Sequence, residues 1–328
     1  MQMRSGAAGA SVFRRAAGRF ILAGTLVVGL GALSVTDPVD APKRAVAATA
    51  RTPYFGAAVG HLNDFVNNTA AQDALKTLGV PVLVVDTGWK ATDQTITSVL
   101  TAIQRTGATP YLSIALPSSS TDNTAQRWVE QTKQRFGNTK VYLEFTGGSM
   151  DTQQFLDDWN RTVPDLKRIA PAGYTFLAAP VTTANPDWGL VAAGTMPRPD
   201  ALAWSEQQLC NRDISDDVCA RRIPTLAWHL QRINAKVSAR IGQSLPVFFN
   251  SWNVGSIDDE RFLDNAATRK LTQTALTQLV GMKSLGLIGA AVGPAISTTD
   301  DENHFGRGLL HRDGSLTFQG TAYRDKTA

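Results

Sequence analysis

Acids, amides and tryptophans recur in this 328-residue chain at the ends of short apolar runs. Asp86 and Trp89 follow Val82-Leu83-Val84-Val85, and Glu144 stands within Val141-Tyr142-Leu143-Glu144-Phe145. Trp204 and Glu206 close Ala201-Leu202-Ala203, and Asn250, Ser251, Trp252 and Asn253 close Val247-Phe248-Phe249. Trp188 comes after Asn185 and Asp187, and the last run leads to Asp300, Asp301, Glu302 and His304. Two carboxyl groups about 5–5.5 Å apart can cleave a glycosidic bond with retention, and two about 6.5–9.5 Å apart with inversion. An indole offers a flat apolar face with a polar edge, which suits the C–H face of a sugar ring. Trp89, Trp188, Trp204 and Trp252 are therefore expected to form a stacking platform. Taken singly, each also reads as a packed residue at the rim of a core. Trp128, Trp159 and Trp228 fall in helical periodicity and are expected to pack.

Other chemistries lack their residues. His61, His229, His304 and His311 show no metal-ligand spacing, so no metal site is expected. Ser251 has no G-x-S-x-G turn around it. The D-x-x-D-x-D-x-E pattern is absent. The first apolar run ends in Gly60-His61-Leu62-Asn63, which is no phosphate-binding turn, and no cofactor is expected.

The elements that must position these groups alternate in period. Strands are expected at 54–59, 81–86, 109–116, 141–146, 174–180, 201–205, 245–250 and 288–292. Helical stretches are expected at 63–78, 93–105, 124–136, 152–169, 225–241 and 260–285, and residues 185–188 read as loop. The run at 81–86 is apolar almost throughout, as a strand covered on both faces of a parallel sheet should be. Eight strands alternating with helices predict an α/β protein: a single (β/α)8 barrel over residues 51–328, with its chemistry at the C-terminal strand ends. A doubly wound sheet is the alternative.

Residues 1–50 differ from the rest. Arg14, Arg15 and Arg19 precede an uncharged apolar run from Phe20 to Val35, then a Pro- and Ala-rich stretch with Ala45-Val46-Ala47 and Ala48-Thr49-Ala50. This is the layout of a secretory signal, with Arg14-Arg15 partly matching a twin-arginine signal. The chain is expected outside the cytoplasm, either secreted or held to the membrane by an uncleaved leader. The net charge of +4 comes from this leader. Of the 32 Lys and Arg, 26 fall in residues 51–328, against 26 of the 28 Asp and Glu. A balanced chain lacks the basic excess that nucleic acid demands. In an oxidising compartment, Cys210 and Cys219 are expected to staple the intervening loop by a disulfide.

Several segments, in order, resemble the large clan of retaining glycoside hydrolases with a (β/α)8 barrel, mannanase-like members included. They are Tyr54-Phe55-Gly56-Ala57-Ala58-Val59-Gly60, the 141–145 run followed by a helix with Trp159, Pro246-Val247-Phe248-Phe249-Asn250-Ser251-Trp252, and the tail from Gly308 to Arg324. The resemblance covers most of residues 53–325 and implies a barrel whose acid/base glutamate ends strand four and whose nucleophilic glutamate ends strand seven. At those places this chain has Gly147-Gly148 and Ser251. A glycine cannot donate a proton, and a serine without a partnered base is a poor nucleophile. Three readings follow. The chain binds a polysaccharide or envelope glycan without the retaining chemistry, stacking sugars on the four tryptophans and bonding hydroxyls through Asp86, Glu144, Asn250 and Asn253. Alternatively it is an active glycosidase with a relocated pair, Glu144 with Glu206 first and Asp300 or Asp301 next. As the third, it is a structural protein of the cell envelope.

Overall fold

The computed structural model describes residues 55–59, 62–87, 91–119, 121–147, 151–180, 186–205, 216–250, 266–284, 290–296, 308–311 and 313–327. Eight parallel strands close on themselves in sequence order. They are β1 (Phe55–Val59), β2 (Val82–Asp86), β3 (Thr109–Ala115), β4 (Val141–Thr146), β5 (Tyr174–Ala179), β6 (Ala201–Ser205), β7 (Val247–Asn250) and β8 (Ala290–Ile296). β8 pairs with both β7 and β1, which makes the barrel and excludes the doubly wound sheet.

The helices are α1 (Leu62–Asn67), α2 (Thr69–Leu78), α3 (Asp93–Thr106), α4 (Thr124–Phe136), α5 (Thr152–Ile169), α6 (Trp188–Gly194), α7 (Asp216–Ile241), α8 (Ala266–Ser284) and α9 (Phe318–Thr327). Several boundaries depart from the sequence reading: β8 runs on to Ile296, past the expected end at 292, and α9 falls where no helix was expected. The stretch expected as one helix from 63 to 78 breaks at Asn68, whose side chain caps α2 by accepting from the Ala71 N–H at 2.9 Å. Asp187 similarly accepts from the Leu190 N–H at 3.0 Å and starts α6 where loop was expected. α7 begins at Asp216 and runs through Pro224, nine residues ahead of the expected start. α3 stops at Gly107, which has φ +73° and whose N–H bonds to the Gln104 carbonyl.

The strand pleat divides the core in two. Ala58, Val82, Val84, Tyr111, Tyr142, Leu177, Ala201, Ala203 and Phe248 fill the barrel interior. The alternate residues, such as Leu83, Leu112, Leu143, Phe145 and Phe249, pack outward under the helices. Inside, the Phe248 ring lies 5.0 Å from that of Tyr142 and 6.2 Å from that of Tyr111. Three aromatics thus plug the barrel below its C-terminal mouth. The tail closes the ring of helices. Tyr323 of α9 donates its hydroxyl proton to the Phe55 carbonyl at the start of β1. Gly320 lets α9 ride on the Leu309 backbone, where an added Cβ would stand 2.0 Å from the carbonyl oxygen.

Candidate functional site

One row of the barrel carries the chemistry. The register aligns Asp86 with Ser113 and Ser113 with Glu144 across β2, β3 and β4. The row below aligns Val84, Tyr111 and Tyr142. Residues of both rows point into the barrel, because each lies an even number of positions from an interior neighbour. Ser113 Oγ donates to Glu144 Oε1 at 3.0 Å, and the Tyr111 hydroxyl, from the row below, donates to Glu144 Oε2. Glu144 is only 4% exposed, whereas Asp86, two strands away, is open to solvent at the end of β2. With strands about 4.8 Å apart, their Cα atoms lie about 10 Å apart.

Burial pushes the Tyr111 phenol well above its ordinary 10, and the charge of Glu144 and the hydrogen bond to it add to the shift. The phenol therefore stays protonated and keeps donating. Glu144 is an anchored acceptor, which cannot turn toward the mouth without breaking two hydrogen bonds inside a low-dielectric plug. Beyond it β4 ends in Thr146, half-buried, and Gly147 follows the strand, buried and without a side chain.

Two further buried tyrosines hold their protons. Burial pushes Tyr174 up to about 12 and raises Tyr323 as well. The unfolded chain would release these protons near pH 10, so the stability they confer is complete below that value and is lost as pH rises toward the folded values. The melting temperature is expected to stay level from about pH 7 to 9.5 and to fall steadily above about pH 10. A level profile to pH 11 would contradict this.

The rim is fixed from outside. Arg161 of α5 donates to the Pro117 carbonyl beyond β3 and to Asp158 Oδ1, while Gln154 donates to the same Asp158 oxygen at 3.0 Å. Asp151 caps α5.

The structure redistributes the expected tryptophan platform. Trp188 is the first residue of α6, is 5% exposed and belongs to the outer core. Trp204 pairs in register with Phe249, an outward residue. Its ring lies 5.3 Å from Phe249 and 5.9 Å from His229 of α7. Neither faces the mouth. Proximity to a strand end suggested both, but the pleat sends Ala203 inward and Trp204 outward. Of the residues expected to pack, Trp128 and Trp159 are fully buried, whereas Trp228 is 52% exposed. Trp89, Glu206, Cys210, Gly148, Ser251, Trp252, Asn253 and the acids at 300–302 lie outside the described residues, as do the side chains of Asn250 and Cys219. Sequence reasoning missed Tyr111 as a partner of Glu144. The available signal was parity, since Tyr111 lies two residues before Ser113 on the same strand.

No family model matches the chain, and no curated protein matches it. Solved structures do. An arabinofuranosidase superposes with a TM-score of 0.58 at 15% identity, over 83% of this chain and 69% of its own. The α-L-arabinofuranosidase of Thermotoga maritima, in complex with arabinose, gives 0.54 at 16% over 77% and 62%. A glucosidase from Croceicoccus marinus gives 0.52 at 15% over 77% and 61%. The chain thus spans about three fifths of the length of the last two. These neighbours are glycoside hydrolases, and what the chain shares with them is the barrel.

Proposed function

We propose that this chain is an exported glycoside-hydrolase-like barrel that binds a polysaccharide or envelope glycan at its C-terminal mouth and lacks the retaining chemistry. The observation that carries the proposal is the state of Glu144. The one described acid inside β4 is buried beneath the mouth and held by Tyr111 and Ser113, while the strand reaches the rim as Thr146 and Gly147. A general acid must reach a glycosidic oxygen. An acid sealed from solvent and anchored by two hydrogen bonds instead orders the floor of a cleft.

Asp86, exposed on the same row, is the described group best placed to bond a sugar hydroxyl. Trp89, Asn250, Trp252 and Asn253 complete the proposed site as residues of the adjoining segments. Export through the 1–50 leader, cleaved or kept as a membrane tether, and the Cys210–Cys219 disulfide belong to the same proposal. No described helix is long and apolar enough to cross a membrane. No cofactor or metal is assigned a part.

The test is reducing-end release from plant, fungal and bacterial-envelope polysaccharides, run beside a Glu144→Gln, Glu206→Gln double variant. The expected result is no release above that of the variant. Release by the wild-type protein that the variant loses would instead establish an active glycosidase with a relocated pair.

A further inference from the structure

Beyond its first two residues the outer helix α7 is basic, and its arginines differ from those of the other described helices in their partners. No Asp or Glu occurs between Asp217 and Asp258, while Arg221, Arg222, Arg232, Lys236 and Arg240 do. Elsewhere each helical arginine meets a side-chain partner. Arg105 pairs with Asp73, Arg127 with Asp93, Arg161 with Asp158, Arg168 with Asp165, and Arg269 and Arg324 with Asp325. Arg135 donates to Gln104. On α7 the arginines are exposed and form no ion pair among the described residues. Arg232 instead lies over the Trp228 indole, 4.5 Å from its centroid.

Residues 221, 225, 228, 232 and 236 fall in one stripe at helical spacing. Trp228 stands in the middle of it, 52% exposed, with the His229 ring against its edge at 4.9 Å. Leu226, Leu230, Ile233 and Val237 of the same helix are buried on the barrel. Among the described residues of α7 a lipid surface would therefore find a single exposed apolar ring to insert, which is a poor anchor. A polysaccharide bearing carboxylates matches the stripe better. Guanidinium forks bind carboxylates in two-pronged fashion, and an indole stacks on a sugar ring.

We propose that the outer face of α7 is a second binding surface, separate from the barrel mouth, for a uronate-bearing polysaccharide, through Arg221, Arg222, Arg232 and Lys236 around Trp228. The surface serves to hold the protein on an acidic glycan whatever the mouth binds.

The test uses the full chain, with polygalacturonate as probe, neutral dextran as control and vesicles containing phosphatidylglycerol as the lipid arm. The wild-type protein is expected to bind polygalacturonate, with affinity falling about tenfold or more between about 50 and 200 mM salt, as a multi-cation contact should. A variant with Arg221→Gln, Arg222→Gln, Arg232→Gln and Lys236→Gln is expected to bind at least about tenfold more weakly at an unchanged melting temperature. Trp228→Ala is expected to lose about fivefold while keeping the salt dependence. Equal affinity of the wild-type protein and the four-site variant for polygalacturonate would overturn the proposal, as would binding to the vesicles without binding to polygalacturonate.

Discussion

Trp159→Ala is expected to remove about 4 kcal/mol of stability, the cost of deleting a fully buried indole whose site cannot collapse. The residue is 0% exposed on α5. Its ring meets Phe145 of β4 edge-on at 5.9 Å and Phe155 of its own helix at 5.9 Å. Its Nε1 donates to the Pro197 carbonyl at 2.9 Å. The variant therefore loses three things together: apolar contact between helix and barrel, an aromatic pair, and the partner of a part-buried carbonyl. Trp228→Ala, on the exposed face of α7, is expected to change stability by no more than about 0.5 kcal/mol. Urea unfolding of the two variants beside the parent gives both values. A loss below about 1 kcal/mol for Trp159→Ala would mean that α5 does not depend on this anchor.

Glu144→Ala is the second large effect, expected at about 2–4 kcal/mol. It strands the Tyr111 hydroxyl and Ser113 Oγ, which bond to Glu144, in the barrel interior and opens a void beside them. Tyr111→Phe leaves the buried acid short of a donor and is expected to cost about 1.5–3 kcal/mol. Combined, the two changes remove both ends of one bond, so the double variant should lose less than the sum of the singles, by about 1–2 kcal/mol. Strict additivity would show that the Tyr111–Glu144 contact contributes nothing to stability.

The fold was largely legible, because periodicity reports burial directly. The apolar run at 82–85 and the amphipathic stretch ended by Gly107 each produced the expected element. What was not legible depends on side-chain direction and local capping. Trp204 is one residue from the inward Ala203, and a count of strand-end residues that ignores the pleat cannot separate them. Trp188 reads as loop until Asp187 is seen to cap a helix of seven residues. Asp86 and Glu144 were both picked from their runs. They share one register row, and their different roles, one exposed where β2 ends and one sealed within β4, come from the strand that continues past Glu144 and from a tyrosine two residues before the nearest polar neighbour. The exposure of Trp228 escaped the helical reading, since a tryptophan in a helix is as readily a surface group as a core one.

The mouth of this barrel is proposed to hold a glycan without cutting it. Affinity electrophoresis of the full chain through gels containing each polysaccharide, with Asp86→Ala run alongside, addresses it most directly. At least one polysaccharide should retard the wild-type protein at constant chain length of the polymer. Asp86→Ala should run faster in that gel while melting at the same temperature. If no polysaccharide retards the protein, or if Asp86→Ala is retarded equally in every gel that retards the parent, the mouth is not a glycan site.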